Sequence, residues 1–316
     1  MELISEPARD SDRTVTLAVR GLDQYALCVP DLAQAAQFYT RFGLDTQNVA
    51  TGLRLDAAGR RVARIGEGSH RHLESVSFTL DPGDANAFAQ RLEAGGVTIL
   101  DAPPGSDREA VWFRDCDGVL IEAALLAPTS SKKSDMAVRI APAGVRRAVE
   151  VDMPTKPQRL GHLFRFTPDV PRAIAFYERF FGLKLADKSG DNVAFLYSPH
   201  GSDHHLLAFA RSTHPGFHHA SFEVPSIDAI GMGARTMAEH GHIEGWGFGR
   251  HEAGSNFFHY VRDPWGSFAE YFCDMDYIPA GCAWEARDLP PERSLYLWGP
   301  DVPGYFLENC ELRSSS

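Results

Sequence analysis

Two stretches of the chain decide the fold: YALCVPDLAQAAQFYTRFGL at residues 25–44 and LFRFTPDVPRAIAFYERFFGL at residues 163–183. Each reads as a short apolar strand, a Pro-Asp turn and an amphipathic helix that stops at Gly. Asp31 and Asp169 stand where a short acidic side chain caps a helix, by accepting an amide proton that the first turn leaves free. Recurrence of the whole strand-turn-helix signature marks an internal repeat, and a repeat has to be recognised before any single element is read.

Two more pairs follow in the same order. VSFTLDPGDANAFAQRLEAGGV at 76–97 matches ASFEVPSIDAIGMGARTMAEHGH at 220–242, again strand, turn and helix. VWFRDCDGVLIEAALL from Val111 matches HYVRDPWGSFAEYF from His259, each two strands around an Asp-x-x-Gly turn. The offset between copies grows from 138 residues at Asp31 and Asp169 to 148 at Glu122 and Glu270, which small insertions in the second copy explain. Each copy is therefore a pair of βαβββ units, and the fold class is α+β in two tandem modules. The expected division is an N-terminal module with its linker over 1–145, a C-terminal module over 146–280, and a tail over 281–316 that does not repeat. The linker is the Ser-, Lys- and Pro-rich stretch APTSSKKSDMAVRIAPAG at 127–144.

Histidine is distributed unequally between the copies. Of 13 histidines, only His70 and His72 precede residue 162, and the other 11 lie between His162 and His259. Imidazole is the commonest metal ligand and general acid or base, so chemistry is expected in the second copy. Several of these histidines are expected to be solvated surface residues, His200, His240 and His242 among them. Aligning the copies sets His162 against Gln24, His219 against Ser75, and Glu270 against Glu122. Two imidazoles and a carboxylate brought from three strands make the facial triad that holds ferrous iron with positions left open, whereas Gln-Ser-Glu would hold a transition metal poorly. Neighbours on a strand face opposite ways. His218 shares its face with the apolar Ala220, Phe222 and Val224 and is expected to pack under a helix, which leaves His219 as the ligand.

The 316 residues are 44% apolar and 23% charged, an ordinary globular composition with length for about two domains. A net charge of -11, with no long Lys/Arg run to offset it, argues against nucleic acid. No apolar stretch is long enough for a membrane span, and MELISEPARDSDR is too acidic and polar for a signal peptide. Five scattered cysteines, never spaced C-x-x-C, argue against a disulfide framework or a zinc-thiolate site. A cytoplasmic, reducing location is expected.

GHLFRF at 161–166, FHHASFEV at 217–224, and GRH at 249–251 followed by YVRDPWGSFAEYF resemble the type I extradiol ring-cleaving dioxygenases of the vicinal oxygen chelate superfamily. The resemblance covers nearly the whole chain. It implies the glyoxalase, bleomycin resistance and dioxygenase fold, with an inert N-terminal module and a metal-bearing C-terminal one. The family's Tyr-x-x-Asp-Pro-x-Gly stretch before the carboxylate ligand is present as Tyr260, Asp263, Pro264 and Gly266 ahead of Glu270. Carried over position by position, His251 and Tyr260 are residues that hydrogen-bond a bound catecholate, and Trp112 stands in the first copy where Tyr260 stands in the second. The acid-base histidine beside the oxygen site is His204 or His205, placed on a strand. The family's spacing to an alanine, here Ala208, favours His205.

The resemblance implies that O2 and a non-haem divalent metal, Fe(2+) with Mn(2+) accepting the same ligands, open a catechol-type ring beside the diol. The expected partners are the diol, O2 and further copies of the chain in a homo-oligomer. A substituted catechol and a trihydroxylated ring such as trihydroxytoluene both fit. Trp298 and Tyr305 in the tail suggest a lid over a one-ring substrate, although aromatic residues near a terminus also serve as simple packing. Two other functions compete: a glyoxalase-type isomerase, which would want a further carboxylate ligand, and a non-catalytic small-molecule binding module, which would lack the triad.

Overall fold

Both Pro-Asp turns start helices as the sequence predicts: the Asp31 carboxylate accepts from the Gln34 amide at 2.9 Å, and Asp169 accepts from that of Arg172 at 3.0 Å. Both helices stop at a left-handed glycine, Gly43 at φ 102° and Gly182 at φ 68°. A Cβ at Gly43 would sit 2.1 Å from the Thr155 carbonyl oxygen, so no other residue fits there. The computed structural model describes residues 17–127 and 154–311. The proposed linker lies outside the described residues apart from Ala127, as does the N-terminal stretch at 1–13.

The first module runs β1 (Gly21–Val29), α1 (Leu32–Phe42), β2 (Asp45–Val49), β3 (Gly52–Ala57) and β4 (Arg60–Glu67). Its second unit follows as β5 (His72–Leu80), α2 (Ala85–Ala94), β6 (Ile99–Leu100), β7 (Ala110–Arg114) and β8 (Leu120–Leu125). They form one sheet in the order β2-β3-β4-β1-β5-β8-β7-β6. The first strands of the two units, β1 and β5, pair antiparallel at the centre. Each unit closes by pairing its last strand with its own first strand, parallel at β1 with β4 and at β5 with β8.

The second module repeats this plan. β9 (Arg159–Thr167), α3 (Val170–Phe176), β10 (Lys184–Ser189), β11 (Val193–Tyr197), the short β12 (Ser202–Asp203) and β13 (Leu207–Arg211) form its first unit. β14 (Gly216–Glu223), α4 (Ile227–Glu239), β15 (Gly245–Arg250), β16 (Phe257–Arg262) and β17 (Phe268–Cys273) form the second. After β17, β18 (Tyr277–Ile278) pairs β12, and in the tail β19 (Arg287–Asp288) lies parallel on the edge strand β10. The sheet order is β15-β16-β17-β14-β9-β13-β11-β10-β19. This is the tandem α+β fold expected. The copies differ by one residue between the Asp cap and the helix-ending Gly. The extra residue of the second copy is taken up by a π turn at Tyr177–Phe181, where the Gly182 amide reaches back five residues to the Tyr177 carbonyl.

The modules share one core. Phe42 at the end of α1 stacks on Tyr271 of β17 at 3.8 Å, and the Tyr271 hydroxyl donates to the Phe42 carbonyl at 2.8 Å. The Asp-x-x-Gly turn of one module reaches into the other. Asp115 accepts from Arg165 at 2.7 Å and from the Tyr177 hydroxyl at 2.8 Å, with both ion-pair side chains fully buried. Asp263 answers with the buried Arg71 at 3.4 Å. Buried pairs of this kind add little net stability but strongly disfavour any docking that separates them. Among the described residues, no helix is long and apolar enough to cross a membrane.

Candidate metal centre

Three neighbouring strands deliver the triad through their register. His162 on β9 faces Ser221 on β14, and Ser221 faces Glu270 on β17. His219 sits two residues before Ser221 on the same side of the sheet, since side chains repeat every second residue. His162 Nε2 lies 3.1 Å and His219 Nε2 3.3 Å from Glu270 Oε2, and the two Nε2 atoms are 3.2 Å apart. One ligand atom from each of the three lies within 4.8 Å of the others.

The donor chemistry fits a divalent cation. Glu270 is fully buried, and neither of its oxygens has a hydrogen bond of acceptable geometry despite the two close imidazoles. Burial opposes its charge, but the facing imidazoles, His162 first, hold the carboxyl well below the usual range. Burial pushes the His219 imidazole down to about 4, so it is neutral near pH 7. A charged carboxylate and a neutral imidazole are the forms in which these groups bind metal. An ionised carboxylate shut away from water without a cation is strongly disfavoured.

The first module keeps the geometry and changes the chemistry. Gln24 on β1 faces Ser77, and Ser77 faces Glu122 on β8, the same register that joins His162, Ser221 and Glu270. Here Arg108 occupies the face of the carboxylate, with Nε 2.8 Å from Oε1 and Nη2 2.6 Å from Oε2, while its Nη1 meets Asp23 at 2.6 Å. Ser77 and Gln24 also donate to Glu122. The guanidinium supplies the cation in place of a metal. Trp112 faces Glu122 as Tyr260 faces Glu270, as the repeat predicts.

An aromatic pocket opens over the triad, lined by Phe164, Phe195, Trp246 and Phe306 together with His205, His251 and Tyr260. The Leu295 carbonyl can only accept, so it takes the His251 Nδ1–H. His251 Nε2 then accepts from the Tyr260 hydroxyl at 2.9 Å. Burial first, and then the nearby Glu270, raise the Tyr260 hydroxyl well above its ordinary value, so it stays protonated. The His205 ring lies 4.3 Å from that of His162, and burial pushes its titration well down.

Several expectations need correction. His204 and His205 sit in the irregular connection between β12 and β13, not on a strand. His205 lines the pocket. His204 is fully buried and turns away, with Nε2 3.1 Å from Asp187 and Nδ1 3.1 Å from His205 Nδ1. His218 does not pack under a helix. A register shift between Phe217 and His219 interrupts the alternation, so both His218 and His219 line the pocket, and His218 contacts Phe306. The tail does cover the pocket, but through Ser294, Leu295, Phe306 and Leu307. Trp298 is 44% exposed, and the Tyr305 hydroxyl bonds the Gly245 backbone. His200, His240 and His242 are outside the lining. The two His-His doublets were the available signal for His204 and His218. Asp187, Phe306 and Arg108 carried none, because their roles depend on contacts across long sequence separations.

The pattern of the Glyoxalase/Bleomycin resistance protein/Dioxygenase superfamily matches residues 21–123 and 159–271, and the chain belongs to that superfamily. It is 47% identical over 298 residues to Metapyrocatechase 2 of Cupriavidus necator, with 93% of each chain covered. It is 26% identical to the Biphenyl-2,3-diol 1,2-dioxygenase of Paraburkholderia xenovorans strain LB400, over 91% of this chain and 94% of that one. Among solved structures, an extradiol ring-cleaving dioxygenase from B. fuscum superposes with a TM-score of 0.75 at 20% identity, over 94% of this chain and 85% of that one. The Mn(II)-bound glyoxalase from Novosphingobium aromaticivorans gives 0.75 at 21%, over 92% and 95%. Both structures share the fold.

Proposed function

We propose that the second module binds one Fe(2+) through His162, His219 and Glu270 and that the chain opens a catechol ring beside its two hydroxyls with O2. The observation that carries this reading is the convergence of two imidazoles, His162 and His219, and the ionised Glu270 carboxylate beneath an aromatic pocket. The chain is a metal-dependent extradiol dioxygenase, with an N-terminal module over 1–145, a catalytic module over 146–280 and a tail over 281–316. Mn(2+) accepts the same ligands.

The metal that His162, His219 and Glu270 would hold would supply a Lewis-acidic anchor for the two diol oxygens and a path for electron density from the ring to O2. The chain's own residues do the rest. Phe164, Phe195, Trp246, Leu295 and Phe306 exclude water and hold the flat ring. The Tyr260 hydroxyl, already donating to His251, offers its lone pairs to a diol hydroxyl. His205 stands on the pocket wall to take up and return a proton. The substrate is an uncharged catechol with small apolar substituents, because among the described residues no Lys or Arg lines the pocket. A glyoxalase-type isomerase would want a further carboxylate ligand. Glu122, the matching carboxylate of the first module, is held by Arg108.

The test is an oxygen electrode with enzyme loaded anaerobically with Fe(2+). Methylcatechol should consume one O2 per ring opened, with a kcat/KM at least about tenfold above that of a carboxylated catechol, since a buried unpaired carboxylate costs more than one such factor. Absence of O2 uptake with every diol would overturn the reading.

A further inference from the structure

The end of the tail is tied to both modules by one side chain. Glu311 Oε1 accepts from the backbone amides of Leu73 at 3.2 Å and Phe217 at 3.1 Å, and Arg71 Nη1 stands 3.4 Å away. Leu73 and Phe217 are the second residues of β5 and β14, equivalent positions in the two copies of the repeat. The pairing of β5 with β8 and of β14 with β17 begins two residues further on, at Ser75 with Leu120 and at His219 with Phe268. One carboxylate thus joins the same point of both modules. Arg71 is buried and also meets Asp263, so the first module contributes the cation at this seam.

We propose that Glu311 is a positioning residue that holds Phe306 as a wall of the pocket and so limits the size of the substituent a bound ring can carry. This rests on the reading of that pocket as the catechol site. Phe306 lies five residues before Glu311 and is buried. Its ring stands 4.7 Å from that of Trp246, 4.9 Å from that of Tyr260 and 5.0 Å from that of Phe268. The chain between the wall and the latch is led back to the second module, where Asn309 Nδ2 donates to the His214 carbonyl at 3.0 Å and the Cys310 thiol to that of Gly266 at 3.0 Å.

Residues 301–311 form no strand, so no sheet ladder fixes this part of the tail. Its place depends on the packing of Phe306 and on the polar contacts at 309–311. Hydrogen bonds to a charged group are stronger than those between neutral groups, and Glu311 gathers two amides and a guanidinium on one oxygen. Without that carboxylate, the Leu73 and Phe217 amides lose their acceptor at the seam. The segment then keeps only its neutral anchors, and the Phe306 ring yields to a bulky substituent pressing on it. With the latch closed, the ring stands fixed and excludes that substituent.

Glu311→Ala in the metal-loaded full chain is the decisive substitution. Its metal content should equal the parent's, and its kcat with methylcatechol should stay within about threefold while KM rises about tenfold, the scale of losing one charge-assisted hydrogen bond. The preference in kcat/KM for methylcatechol over a phenyl-substituted catechol should fall by about tenfold as well. Glu311→Gln keeps an oxygen for the two amides and should restore most of the preference. Phe306→Ala should lower the preference by itself, and adding Glu311→Ala to it should lower it no further, because both changes act through one ring. Hydrogen exchange should be faster over residues 301–311 in Glu311→Ala than in the parent and equal over α2, a readout that needs no turnover. An unchanged preference and KM in Glu311→Ala, effects of the two substitutions that multiply, or unchanged exchange over 301–311 would each sink the proposal. If the parent opened no ring, the functional reading would fall, while the exchange measurement would still decide whether Glu311 holds the tail.

Discussion

Arg108 and Glu122 form a two-pronged ion pair, 2.8 and 2.6 Å, in the first module at the position where the second gathers His162, His219 and Glu270. The repeat thus keeps one buried carboxylate in each module and faces it with a guanidinium in the first and with two imidazoles in the second. Burial works against the Glu122 charge, and Arg108 and Ser77 more than offset it, so the carboxyl lies below its usual range.

Removing that cation should act on stability and not on metal content. Arg108→Ala leaves Glu122 buried and unpaired, a change that costs about 3 kcal/mol in comparable pairs. The urea midpoint should fall accordingly, with one metal per chain before and after. A second metal bound by the parent would refute the idea that the guanidinium occupies a lapsed site.

Each ligand of the second module should be indispensable. His162→Ala, His219→Ala and Glu270→Gln should each lose metal on gel filtration and lose ring cleavage with it, and Gln24→Ala should lose neither. Elemental analysis of the purified proteins decides this. Full metal content in His219→Ala would remove that residue from the site.

Tyr260→Phe keeps the ring stacked 5.6 Å from Trp246 and deletes only the hydroxyl that meets His251. Metal content should survive. Turnover should drop by roughly 10- to 1000-fold, the scale of losing one preorganised hydrogen-bonding group, and an unchanged kcat would exclude the hydroxyl from the reaction.

Asp187 should make stability depend on acid. Burial alone would raise its carboxyl, but hydrogen bonds from His204 and Arg287 hold it at about 2. A carboxyl depressed in the folded state stabilises the fold fully above its ordinary value near 4, and that contribution disappears as pH falls toward 2. The difference in unfolding free energy between the parent and Asp187→Ala should therefore be at least about 2 kcal/mol at pH 7. It should be flat down to about pH 5 and smaller by pH 3. Denaturant titrations at these pH values measure it, and a difference that grew on acidification would contradict the assignment.

The sequence by itself determined the repeat, and through the repeat the fold and the triad. Asp caps, helix-ending glycines and strand alternation are local signals that survive without knowledge of the partner strands. Once the copies were aligned, His162, His219 and Glu270 stood out against Gln24, Ser75 and Glu122 because equal register puts equal positions on equal faces. Tyr260 and Trp112 were legible for the same reason. Only the tertiary structure decided which of His204 and His205 faces the pocket, because they lie in an irregular connection where alternation gives no direction. It also decided that His218 joins His219 on the pocket wall, since the register shift beside it breaks the two-residue period. Arg108, Asp187 and Phe306 act on groups 14, 17 and 88 residues away along the chain. Such contacts come from how the sheets curl and where the tail docks, and no local pattern of residues encodes them.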